Sequence, residues 1–193
     1  MTALLLGLLL FLGAHSVRIV AEPWRSRVLA SSGGAQRWKL GYTVLSLAGF
    51  ALICWGYGQA RQAPVVLWAS PAWTRHLAGL LMLLSFVLLA AAKVPGNAIK
   101  ARLHHPMVLG VKVWALAHLL ANNTLADVLL FGSFLVWAVL NFRAARQRDR
   151  ASGTVYAPGT AQRTWLTAGA GVALWAVFAF WAHGWLIGVR PFG

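Results

Sequence analysis

Carboxylates are almost missing from this chain: Glu22, Asp127 and Asp149 are its three acidic residues among 193. No two stand close in sequence, which leaves no carboxylate pair for acid–base work and no acidic cage for Mg²⁺ or Ca²⁺. Cysteine is scarcer still. Cys54 stands alone, which excludes an intrachain disulfide and any CxxC redox or zinc motif. Charge of either sign is low, 10% of residues, whereas 60% are apolar and 11 are tryptophan, with a mean hydropathy of +0.68. That composition is an integral membrane protein's. The 17 lysines and arginines leave a net charge of +14, which in a soluble chain would suggest nucleic acid. Here they cluster between apolar runs, where the positive-inside rule puts them, and a nucleic-acid role is rejected.

Six runs approach the roughly 20 residues needed to cross the hydrocarbon: Thr2 to Val20, Leu40 to Gly58, Arg75 to Ala92, Pro106 to Ala121, Leu125 to Phe142 and Trp165 to Val189. The expected fold is all-α, a polytopic bundle of about six transmembrane helices forming one domain over 1–193. The fourth helix is short, about 16 residues or about 24 Å. The first run is not a signal peptide by pattern: no Lys or Arg precedes Leu4, an A-x-A site is missing, and His15 and Arg18 sit where cleavage would fall. It is expected to be retained.

Orientation follows from the loop charges. The segments Arg18 to Lys39, Lys93 to Arg102 and Arg143 to Arg163 hold thirteen of the basic residues, and the alternate connections hold Arg61, Arg75 and Arg190. The first set belongs in the cytoplasm, so both termini are expected to face the periplasm of a bacterial inner membrane. Gln62 to Thr74, with Pro64, Pro71, Trp68 and Trp73, suits an outer interface, and Arg143 to Arg163 reads as a solvated cytoplasmic loop.

Histidines are the chemistry-bearing residues. His15 lies in the first run, His105 and His118 bound the fourth, and His183 lies in the last; imidazole inside a bilayer demands a partner. On different helices they could converge on a metal centre. His15 stands about 8 Å from the cytoplasmic end of its helix, and His118 near the outer end of the fourth. His183 also lies outward and His105 at the cytoplasmic entrance. Straight helices pair His118 with His183 and His15 with His105, but tilts of about 20° blur these depths, and both pairings stay open. His105 projects about 140° away from His118 around their helix, so the two do not clamp one ion. Trp175, Ala179 and His183 share a stripe, with a small residue one turn before the imidazole. The bland alternatives are interfacial roles for His76, His104 and His105, inert packing for Cys54, and snorkelling for Lys112.

Three segments, HSVRIV near the N-terminus, HHPMVLGVKVWALAHLLANN in the middle and HGWLIGVRPFG at the end, resemble the NnrU family over nearly the whole chain. That family takes its name from bacterial denitrification clusters, and the resemblance implies a link to nitrite and nitric oxide metabolism. Its relative, the zeta-carotene isomerase of plants and cyanobacteria, holds haem b and isomerises a cis double bond when the iron is reduced. The haem-ligand histidines of that relative lie in motifs similar to HSVR and WALAH, which implies His15 and His118 as axial ligands here. A cysteine three residues before the second ligand in the isomerase is Ala115 in this chain, so a thiolate exchange mechanism does not carry over. Arg18, one turn from His15, is placed to neutralise a propionate, and His105 and His183 are possible substitute ligands.

A second resemblance concerns His105, Pro106 and Gly110, similar to the S-adenosylmethionine-binding helix of isoprenylcysteine and phospholipid methyltransferases. Val108 stands where those enzymes carry an aromatic, and a basic stretch replaces their paired glutamates. The favoured expectation is a haem b protein of nitrite or nitric oxide metabolism in the inner membrane. A haem-dependent isomerase of a carotenoid-like polyene is the alternative, and a non-catalytic respiratory assembly protein a third, with methyl transfer remote. The partners expected are the lipid bilayer and an apolar small molecule or nitric oxide.

Overall fold

The structure, a computed structural model, describes residues 1–192. Its helices are α1 (Thr2–Val20), α2 (Glu22–Ala30), α3 (Gly34–Ala60), α4 (Trp73–Lys93), α5 (Ala98–Leu103), α6 (Pro106–Ala121), α7 (Leu125–Ser152), α8 (Ala161–Val177) and α9 (His183–Ile187), with a π-helical turn at Phe178–Ala182 joining the last two. Among the described residues, two isolated bridge pairs, Val66 with Thr124 and Asn97 with Thr160, are the only strand-like pairing. Among the described residues five helical stretches, α1, α3, α4, α7 and Ala161–Ile187, are long and apolar enough to cross a membrane, and α6 is a shorter apolar helix. Six apolar segments with a short fourth are thus present, and the fold is a helical membrane bundle. Large apolar side chains point outward along them, Leu9 at 73% and Trp165 at 77% exposed, which suits hydrocarbon as solvent.

Three features differ from the sequence expectation. α2 and α5 are helices inside the basic connections: Pro23 in the first turn starts α2, and Asn97 caps α5 by accepting from the Lys100 amide at 2.7 Å. α7 runs through Arg143 to Ser152 instead of ending at Phe142. The alternation of Arg, Ala and Gln there is strongly helix-forming, and a charged helical turn protrudes from a bilayer as readily as a loop does.

The residues divide into two compact units, unit 1 comprising Met1–Trp68 and Thr124–Asn141, and unit 2 comprising Ala69–Asn123 and Phe142–Gly193. In unit 1, α1 lies directly against α3. A Cβ at Gly49 would stand 2.7 Å from the Phe11 amide nitrogen, and one at Gly56 would stand 2.3 Å from that of Leu4. Backbone packs on backbone there, the small-residue contact that holds helices together where no hydrophobic force acts between them. The start of α7 is a capping box: the Thr124 amide donates to Asp127 Oδ2 at 2.9 Å, and the Asp127 amide to Thr124 Oγ1 at 3.3 Å. Tyr57 Oη donates to the other Asp127 oxygen at 2.5 Å, so α3 is tied to the first turn of α7.

In unit 2, α4 packs against α6 and α8. Fully buried Ser85 donates to the Gly110 carbonyl at 2.8 Å, an interhelical bond with no water to compete. At the end carrying the arginine-rich connections, Asn97 is 1% exposed and donates to the Ala91 carbonyl at 2.9 Å. The Ala98 amide donates to Thr164 Oγ1 at 2.9 Å. These bonds join the α4–α5 turn to the start of α8 and leave the opposite end of the unit for a cavity.

Candidate functional site

That opposite end carries the start of α4, the end of α6, the π-helical turn, α9 and residues 188–192. Between them lies a cavity of about 310 Å³. His118 on α6 and His183 on α9 both line it. The walls are apolar and aromatic, among them Met82, Phe86, Trp175, Phe178 and Phe192, while Arg75 and Arg190 also contribute. Asn122 and Asn123 complete the polar lining, and among the described residues no carboxylate side chain is part of it. The Trp175 indole nitrogen is buried without a hydrogen-bond partner, a donor that a bound acceptor would satisfy. Cations and donors around apolar walls describe a site for an amphiphile with a negative end.

The histidines are set by their own helices. A backbone carbonyl only accepts, so the ring nitrogen beside it must carry the proton. His118 Nδ1 donates to the Trp114 carbonyl at 2.9 Å, and His183 Nδ1 to the Val189 carbonyl at 2.6 Å. Each bond fixes the tautomer whose lone pair is on Nε2, the form in which imidazole ligates a metal, and a carbonyl on the far nitrogen is the usual orienting partner of such ligands. The π-helical turn, a feature that recurs at functional sites, precedes His183 and sends Phe178 and Ala179 into the lining. Gly188, at φ 75°, then reverses the chain, so that residues 189–192 return over the cavity. A Cβ at Gly79 would meet the Phe192 ring at 2.4 Å. Phe192 therefore lies directly against α4 at Gly79.

His15 belongs to unit 1. Its Nδ1 donates to the Phe11 carbonyl at 2.7 Å, the device used by His118, and its ring stacks on Phe11 at 4.2 Å. Tyr42 at 5.0 Å and Trp137 at 6.1 Å complete an aromatic box. Arg18 pairs with Glu22 at 3.7 Å, its side chain 58% exposed.

His105 serves another assembly, at the arginine-rich end of unit 2. Its Nε2 donates to Asp149 Oδ2 at 2.8 Å, and the Tyr156 hydroxyl donates to the same oxygen at 3.0 Å. His104 stacks on Tyr156 at 4.1 Å with the planes 8° apart and bonds Arg146. Burial, and then the Asp149 carboxylate it serves, push the Tyr156 hydroxyl above its ordinary pKa. His104 holds φ at 69°, the one positive value outside glycine among the described residues. His105 and His118 are thirteen residues apart on one helix, about 20 Å, so His105 and the cavity stand at opposite ends.

Among the described residues, no three histidine, cysteine or carboxylate side chains come together to hold a metal ion. The NnrU protein model matches residues 3–191. The chain belongs to the NnrU family. No curated protein and no solved structure matches it. In this NnrU chain the structure brings His118 and His183 to one cavity, and it places His15 and Arg18 in unit 1 and His105 on Asp149. Arg75 and Arg190 escaped the sequence reading, although a signal was there. They are two of the three loop cations on the sparsely charged side, and residues that defy a charge bias have a local reason to be where they are.

Proposed function

We propose that this NnrU protein is a haem b protein of the bacterial inner membrane, acting in nitrite and nitric oxide metabolism. The observation that carries the reading is the cavity of unit 2, with two imidazoles whose Nδ1 protons are held by carbonyls, two arginines and apolar aromatic walls. Family membership supports the metabolic setting. The uneven loop charges support a cytoplasmic arginine-rich side and periplasmic termini.

The residues present suit the group in kind. His118 and His183 would hold the iron through their imidazoles, Arg75 and Arg190 would supply counter-charges for propionates, and Phe86, Trp175 and Phe178 the apolar walls. In size the cavity is at the lower end for small-molecule sites. One wall is the segment 189–192, held by the His183 bond and the Phe192 ring, so loading a macrocycle requires that segment to yield. Bound there, haem b would supply an iron that changes oxidation state. The protein's own part is to orient two imidazoles, exclude water with aromatic walls and neutralise carboxylates at the mouth.

The haem-to-protein ratio of three single variants tests the reading. His118→Ala and His183→Ala should each lose most of the haem, and His15→Ala should keep it. Loss in His15→Ala with retention in His183→Ala would replace the pairing by the His15–His118 pairing that the resemblance implies. Unchanged haem in all three, or none in the parent protein, would contradict the haem assignment itself.

A further inference from the structure

A second cavity lies wholly within unit 1, about 300 Å³ in volume, where the end of α1, α2 and the start of α3 meet. Ala14 and Val17 form one wall, Val28 the roof, and Trp38 and Leu45 the other wall. Gly41 forms part of the lining, and a Cβ built there meets nothing within 4 Å. Trp24 and Trp38 close one side edge to face, their rings 5.7 Å apart, and Arg37 contributes the one charged side chain.

The surroundings are short of negative charge. Residues 18 to 39 hold Arg18, Arg25, Arg27, Arg37 and Lys39 against Glu22 alone. Glu22 is already engaged, by Arg25 at 3.1 Å and Arg18 at 3.7 Å. Arg37 uses Nη2 on the Ser32 carbonyl at 2.5 Å, one of five guanidinium donors, and no carboxylate among the described residues pairs with it. Paired tryptophans beside a cluster of arginines, at the end of two membrane-spanning helices, mark headgroup depth.

We propose that this cavity is a binding site for one anionic phospholipid, an acyl chain lying between Val17 and Leu45 and the headgroup phosphate on Arg37. An acyl chain gains nothing hydrophobic on moving from bilayer to groove, because its neighbours are equally apolar in both. A void with apolar walls does lose dispersion contacts on every side, and a chain from the adjacent leaflet restores them. Selectivity then rests on the rim, where an uncompensated guanidinium and its basic neighbours favour a phosphate carrying net negative charge over a zwitterionic headgroup.

The test is native mass spectrometry of the full chain, released from nanodiscs of equal phosphatidylglycerol and phosphatidylethanolamine, with extraction and phosphorus analysis of what remains bound. The parent protein should retain one phosphatidylglycerol. Gly41→Leu, which grows into open space, should abolish that adduct, and Arg37→Gln should reduce its preference over phosphatidylethanolamine at least several-fold. Ala14→Leu fills the same space from α1 and serves if Gly41→Leu does not fold. Equal lipid adducts in parent and filled variants would overturn the site. So would a parent adduct without phosphorus, or a dimer of this chain that the filling substitutions dissociate. The haem content of Gly41→Leu should equal the parent's, which keeps this site separate from the cavity of unit 2.

Discussion

His118 and His183 line one cavity in unit 2 although they stand on helices far apart in sequence, and each gives its Nδ1 proton to a backbone carbonyl, of Trp114 at 2.9 Å and of Val189 at 2.6 Å. The pairing has a geometric origin. α6 runs away from the arginine-rich end and places His118 in its last turn, while the stretch from Ala161 to Ile187 runs the same way and places His183 at its far end. Two helices of one polarity thus present two imidazoles at one depth.

The mouth of that cavity predicts a charge effect. Arg75→Gln and Arg190→Gln, combined, should weaken hemin retention during detergent washing about 10-fold or more, since charge-assisted bonds to carboxylates contribute roughly 1.5–3 kcal/mol each. Retention equal to the parent would show that the arginines hold nothing.

The tail of the chain should control access. Phe192→Ala removes the ring that docks beside Gly79, and it should speed hemin uptake by the apoprotein in stopped-flow absorbance. Unchanged uptake would mean that the segment 189–192 is not a barrier.

At the other end of unit 2, Asp149 gathers His105 and Tyr156 on one oxygen, and His104 is held at a φ of 69° beside them, a conformation costing about 1–3 kcal/mol. Asp149→Ala should loosen this end, raising the rate of limited tryptic cleavage after Arg146, Arg148 and Arg150 several-fold. The Tyr156 hydroxyl has a folded pKa above its ordinary value of 10.0. Its neutral form is therefore favoured by folding, and that stabilisation is complete below pH of about 10 and is lost as pH rises through the folded value. Ultraviolet difference titration against Tyr156→Phe should show this tyrosine ionising at lower pH in Asp149→Asn than in the parent.

Helix contact in unit 1 predicts the largest loss of stability. Gly56→Ala would place a Cβ 2.3 Å from the Leu4 amide nitrogen, backbone that cannot turn aside, so α1 and α3 must separate. A loss of about 1–3 kcal/mol is expected, read as a lower melting temperature by scanning fluorimetry. Gly41→Ala, on the same helix with nothing within 4 Å, should be neutral to slightly stabilising.

The membrane helices were legible because hydropathy alone selects them, and the short fourth run coincides with α6 at both ends, Pro106 and Ala121. α2 escaped because nine residues rich in arginine have no apolar run to find. The extension of α7 escaped because charge was read as solvation, although Arg, Ala and Gln favour helix whatever the solvent. Depth along straight helices paired His118 with His183, as the cavity does. The structure also gives His105 a partner in Asp149, 44 residues away in sequence. That partner was legible only as a lone acid in a basic stretch.

Haem held by His118 in the cavity of unit 2 is the central claim. The direct measurement is the visible spectrum of the detergent-purified protein, oxidised and dithionite-reduced, beside that of His118→Ala. A sharp Soret band with resolved reduced α and β bands is expected in the parent, and their loss in the variant while its circular dichroism stays helical. A featureless parent spectrum that added hemin does not change, or identical bands in parent and variant, would contradict it.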